Sequence, residues 1–287
     1  MGVIFAFLAM MAWGVGDFLI QRSTRKFGNS IALFCITAFA AVALFPWVMD
    51  DLPSLFTLDY RFWLLMGASV IMLFAALFDF EALREGKISV VEPVYALEVP
   101  IAVGLSSFLL AEWLSGTQWL LIVALVVSIC LVSLKSLHIL RSFRIEKGVL
   151  LAGVATLGMG TSNFLFGVGS RVTDPLMTNW FVSAFVAVVM ALHLTQTGKW
   201  SVLAQRWKTQ KSLMLSVSVI DNIAWIAYSY STLTIPIGIA TAISESYIAV
   251  AALLGLVWNK EKLVIHQKIA LVSAIVLVII LGWTSEQ

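Results

Sequence analysis

Ten stretches of about twenty apolar residues dominate this chain, and they leave few structures open to it. They cover about 3–21, 30–49, 62–80, 89–110, 118–137, 149–170, 177–195, 212–231, 237–258 and 264–283. A run of that length is long enough to cross a bilayer as a helix. In hydrocarbon every backbone N–H and C=O must be satisfied internally, so each apolar run reads as a helix. Charged residues make up 12% of the 287 and hydrophobic ones 61%, against roughly 25% charged in a soluble domain. The fold class expected is all-α integral membrane, with ten transmembrane helices. No connector is long enough for a soluble domain.

A net charge of +2 argues against nucleic acid as a partner; the lipid bilayer is the partner that composition names. No Lys or Arg precedes the first span, which runs on past a signal-peptide core, so it is expected to be kept as a helix. Cys35 and Cys130 fall inside spans and read as small apolar residues.

The ten spans are two copies of five. Shifted by 146, GVIFAFLAMMAWGVGDFLI aligns with GVLLAGVATLGMGTSNFLF, with twelve identities over residues 2–42. Glu112-x-Leu114-x-x-x-Gln118 recurs as Glu261-x-Leu263-x-x-x-Gln267 at a shift of 149. The expected units are residues 1–138 and 148–287, joined by a basic linker, 139–147. Because five is odd, the second copy starts on the opposite side of the membrane. The halves are thus expected to form a 5+5 inverted-topology repeat.

Loop charge agrees with that geometry. Lys and Arg accumulate on the cytoplasmic side of membrane proteins, and sixteen of the 18 lie in connections after spans 1, 3, 5, 7 and 9; Arg61 and Arg171 are the others. Equivalent connections carry opposite charge. The acidic Asp50, Asp51, Asp59 stretch corresponds to the basic loop from Lys199 to Lys211. The bias puts the basic loops in the cytoplasm and both termini outside, in the cell (inner) membrane.

Inverted repeats are characteristic of secondary transporters, whose substrate site lies near mid-membrane between the repeats. Gly14-Val15-Gly16-Asp17 also matches GxGD, a signature of intramembrane aspartyl proteases. Such an enzyme needs two carboxylates sharing a proton. The position equivalent to Asp17 is Asn163, and the chain has no YD pair and no PAL, so proteolysis is rejected. Asp17 and Asn163 then read either as polar groups at the mouths of a pathway or as interhelical hydrogen bonds. Trp13 shares the face of Asp17 one turn earlier. Arg22 and Arg25 lie close enough along the chain to pair with Asp17.

Three carboxylates lie deeper: Glu98, Asp221 and Glu245. An ionised acid near a helix centre costs roughly 2.5–3.5 kcal/mol on insertion scales, so each must be protonated, paired or hydrated. Such groups suit proton-coupled transport. Asp221 shares a stripe with Trp225 and Tyr228, a setting for a cationic or aromatic ligand; the same aromatics also fit bundle core. Glu98 has Tyr95 a turn earlier and Pro100 after it. With Glu92-Pro93 this makes helix 4 a kinked element. Glu112 and Glu261 sit at helix ends and read as caps or interfacial groups. Trp47, Trp63, Trp119 and Trp283 lie near span ends and read as interfacial anchors.

The pattern resembles the EamA-type drug/metabolite transporters. Trp13-Gly14 in helix 1, Pro100 followed twelve residues later by Glu112, and Glu261 closing helix 9 carry the resemblance. In the second copy Ala249 stands where a proline would match Pro100. The resemblance implies alternating-access movement of small metabolites, often export, with cytoplasmic termini; the loop charges point to the opposite orientation. The competing class is an intramembrane enzyme such as a lipid-modifying transferase. His138, His193 and His266 are scattered with no HExxH, DxxD or GxSxG, so no catalytic residue, metal or cofactor is expected. A channel is the third reading, and no filter-like repeat supports it. The function expected is therefore a secondary active transporter, a permease for a small-molecule substrate with protons as coupling ion.

Overall fold

A computed structural model describes residues 1–55, 58–86, 91, 94–133, 147–250 and 264–285. Every element there is a helix, and among the described residues there is no strand. In chain order they are α1 (Gly2–Phe27), α2 (Asn29–Val48), α3 (Leu52–Leu55), α4 (Tyr60–Glu85), α5 (Glu98–Leu110), α6 (Gly116–Ser133), α7 (Lys147–Val172), α8 (Pro175–Gln196), α9 (Trp200–Ser231), α10 (Ile237–Ser244) and α11 (Ile265–Thr284). Seven are long and apolar enough to cross a membrane: α1, α2, α4, α7, α8, α9 and α11. The apolar helices α5, α6 and α10 are shorter.

Helix ends follow local chemistry. Asp59 caps α4, its carboxylate accepting from the Arg61 N–H at 2.9 Å and from that of Phe62. The Arg61 side chain, hydrogen-bonded to the same carboxylate, holds the Asp59 carboxyl below its ordinary range. Asp174 caps α8 in the same way, with Pro175 in the first turn, where a missing N–H costs nothing. Gly28, at φ 82, supplies the left-handed φ that lets α1 hand over directly to α2.

The outer surface is apolar. Ile4, Val42, Phe108, Leu120, Ile265 and Val272 are all exposed, an arrangement that lipid accommodates and water does not. Trp47, Trp63, Trp119 and Trp283 are exposed too. Inside, α4 packs along α7, α1 along α9, α2 along α8 and α6 along α11. Small residues allow the closest crossings. A Cβ on Gly14 would meet Val250 at 2.9 Å, and one on Gly160 would meet Ile101 at 2.9 Å.

Two expectations need correction. The basic stretch from Lys199 to Lys211 is not a loop. It is helical from Trp200 and breaks at Gln210 (φ −136, ψ 23) before the membrane-length part of α9 begins. Charge alone suggested a loop. The segment has no Gly or Pro, and Trp200, Leu203 and Trp207 are interspersed with Arg206 and Lys208, which suits an interfacial amphipathic helix. Secondly, a helix in the second half of the chain is broken although Ala249 stands where a proline would match Pro100. A turn at Ala96-Leu97 precedes α5, and a turn at Glu245-Ser246 follows α10 before helix resumes at 247–250. Backbone bonds tighten at both places, Leu97 to Val94 at 3.1 Å and Ser246 to Ile243 at 3.2 Å. Glu92, Pro93, Glu261 and the linker up to residue 146 lie outside the described residues; Lys147 opens α7.

Candidate functional site

The helix breaks and the long helices converge on one cavity. Its volume is about 80 Å³, room for several waters. From α1 it receives Trp13 and Asp17, from α4 Asp79, and from α7 Asn163. Asp221 and Trp225 come from α9. The two breaks bring in Tyr95 and Glu98 on one side and Glu245 and Tyr247 on the other. Of the residues singled out in the sequence, Trp13, Asp17, Tyr95, Glu98, Asn163, Asp221, Trp225 and Glu245 all line this space. Tyr228 stands behind it.

Polar bonding knits part of the wall. Asn163 carries two side-chain N–H groups and aims them at two carboxylates, Glu245 at 3.0 Å and Glu98 at 3.4 Å. Its backbone carbonyl oxygen accepts from the Tyr228 hydroxyl at 2.9 Å, and that hydroxyl also meets the Thr241 hydroxyl at 2.8 Å. Glu98 is in the first turn of α5, where the partial positive charge of a helix N-terminus favours an acid. Glu245 lies at the C-terminal cap of α10 and accepts from the side-chain amide of Asn163. Asp221 differs from both. It is 9% exposed, lines the cavity, and among the described residues has no hydrogen-bond or ion-pair partner.

Aromatic rings form the remaining wall. Trp13 is at their centre, 5.1 Å from Trp225, 5.7 Å from Tyr228 and 6.5 Å from Tyr247 between ring centroids. Phe166 lies 4.5 Å from Trp225. Such rings offer π-faces to the same space that the carboxylates address.

Arg25, a possible partner for Asp17 by sequence distance, instead donates to the Gly86 carbonyl at 3.0 Å. Arg171 does the corresponding thing elsewhere, donating to the carbonyls of Thr232 at 2.7 Å and Ile235 at 3.1 Å and pairing with Glu112. Glu112 does act as a cap, but of another helix: it accepts from the Ile237 N–H at 2.8 Å, at the start of α10.

Sequence reasoning missed Asp79, Asn179, Asn222 and Tyr247, which also line the cavity. Asp79 was hidden by a boundary. An apolar span ending near residue 80 makes it look like a loop residue, whereas α4 runs on to Glu85. The signal available was Leu83, since apolar residues continue past Asp79 at helical spacing.

No curated protein matches the chain. A solved crystal structure shares its fold, with a TM-score of 0.73 at 14% identity over 99% of this chain and 96% of that one. Residues 1–134 match the EamA-like transporter family, so the half of the chain that supplies Trp13, Asp17, Asp79 and Glu98 to the cavity carries the signature of a transporter family.

Proposed function

We propose that the chain is a secondary active transporter that moves a small organic molecule by alternating access between two inverted five-helix units, residues 1–138 and 148–287. The reading makes ten crossings, with helices 4 and 9 broken at Ala96-Leu97 and Glu245-Ser246. Broken helices near mid-membrane are where such transporters hold substrate and coupling ion. Reciprocal packing supports the repeat. Exchanging α1 with α7, α2 with α8, α4 with α9 and α5 with α10 turns each main contact into another: α4–α7 becomes α9–α1, and α5–α7 becomes α10–α1. Hydrogen bonds exchange as well. Arg25 to Gly86 becomes Arg171 to Ile235, at the shifts of 146 and 149 that relate the two sequences.

The observation that carries the transport reading is the cavity, because both units build it and five carboxylates face it. Glu98, Asp221 and Glu245 serve as the proton-carrying groups, with Asp17, Asn163, Trp13, Trp225, Tyr228 and Tyr95 as the surrounding substrate pathway. Export across the cell (inner) membrane, with basic loops in the cytoplasm and both termini outside, completes the proposal.

The test is flux in vesicles reconstituted with the purified protein and loaded with a pH-reporting dye. A member of a metabolite panel is expected to drive proton movement above that of protein-free vesicles. That movement should fall about tenfold or more in Asp221→Asn, Glu98→Gln or Glu245→Gln. A panel that moves no solute and no protons would remove the transport reading; undiminished proton movement in all three variants would remove the coupling assignment alone.

A further inference from the structure

We infer that the cavity takes an organic cation, a small molecule carrying amine or quaternary ammonium groups. The inference rests on the transporter reading of the same cavity and names its substrate class. Asp17, Asp79, Glu98, Asp221 and Glu245 line the space, and among the described lining residues there is no Lys, Arg or His. A low-dielectric wall with one sign of charge attracts the opposite sign strongly. It repels a carboxylate or phosphate guest by the same amount.

An acidic wall alone does not make a site, and here a second observation singles out a guest. Asp221 is 9% exposed, aims into the cavity and meets no donor among the described residues. A buried carboxylate without a donor is a costly arrangement. A ligand N–H or ammonium at that point supplies what the protein does not.

Two features separate an organic cation from a metal ion. Among the described residues, no three His, Cys, Asp or Glu side chains converge closely enough to hold a metal. Glu98 and Glu245 meet at Asn163, while Asp17, Asp79 and Asp221 enter from three other helices, as suits a guest with length or several charged groups. In addition, Trp13, Trp225, Tyr247 and Phe166 line the cavity in one connected cluster. Ring faces attract ammonium and quaternary groups, and alkyl portions of the guest pack against them.

The experiment melts purified full-length protein in detergent with putrescine, spermidine or tetraethylammonium. Butanediol and succinate provide neutral and anionic molecules of putrescine's length, and calcium chloride an inorganic cation. At least one of the three organic cations is expected to raise the melting temperature, and butanediol, succinate and calcium are not. Affinity for that cation should fall about tenfold or more in Asp221→Asn and stay unchanged in Glu85→Gln, an acid outside the cavity. If Asp221→Asn does not yield folded protein, Trp225→Phe takes its place, since it keeps a ring but weakens the cation–π contact. Failure of all three organic cations would overturn the inference, as would preference for succinate or calcium, or equal affinity in wild type and variants. Vesicle flux separates this from the broader reading: a bound amine that is never transported leaves the cation site and removes the transporter, while transport of a neutral or anionic solute does the reverse.

Discussion

Asn163 shows what a single neutral side chain does in an acidic space. One amide supplies donors to Glu98 and Glu245 together, so two carboxylates from opposite halves of the chain share a partner. Removing it strands two acceptors at once. Asn163→Leu is expected to lower stability by about 1–3 kcal/mol, the cost of leaving buried polar atoms unmatched, read as a lower melting temperature in detergent; an unchanged melt would show that water takes over both bonds. In the proposed repeat the acids do not recur. Asp17 corresponds to Asn163, Asp79 to Tyr228, Glu98 to Tyr247, Asp221 to Met72 and Glu245 to Ala96. Each acid has a neutral counterpart. A backbone can be duplicated freely, but duplicating five acids into one cavity would multiply their mutual repulsion. The pairing of Asp17 with Asn163 was legible from the sequence alone. What Asn163 touches was not, because Glu98 and Glu245 lie 65 and 82 residues away.

Between helices, the ends carry as much meaning as the spans. Arg171 ties the end of α7 to the carbonyls before α10, while its partner Glu112 caps the first N–H of α10. One guanidinium fork thus joins three chain segments, a role that the point charge of Lys does not reproduce. Beneath this knot Gly238 of α10 packs against Val103 and Ser106 of α5, and Ser106 is buried. In a background lacking Cys35 and Cys130, a cysteine at Ser106 is expected to react with a water-soluble thiol reagent about tenfold faster once Arg171→Ala is added, corresponding to roughly 1.4 kcal/mol of opening. An unaltered rate would show that the knot does not hold this end shut. Hydropathy located the helices but not their breaks. Pro100 pointed to one kink; the equivalent break at Glu245-Ser246 has no proline, and its Ser246 hydroxyl bonds to the Ala242 carbonyl at 2.8 Å, the kind of local competition that bends helices.

At the scale of the whole molecule, orientation is the property most open to test. Single cysteines at Lys208 and Asp50, on equivalent connections of opposite charge, should be labelled from opposite faces, Lys208 from the cytoplasm and Asp50 from outside. Both are exposed. The reverse pattern would invert the assignment and leave the inverted repeat intact, whereas labelling from one face would remove the inversion itself. The all-helical class and the apolar runs of membrane length were readable from the sequence because their causes are local. Lipid forces each apolar run to satisfy its own backbone, and loop charge is counted residue by residue. The cavity was decided only by tertiary structure: its wall draws on six long helices and two breaks from both halves of the chain, and no spacing along one helix encodes which distant acids will face the same small volume.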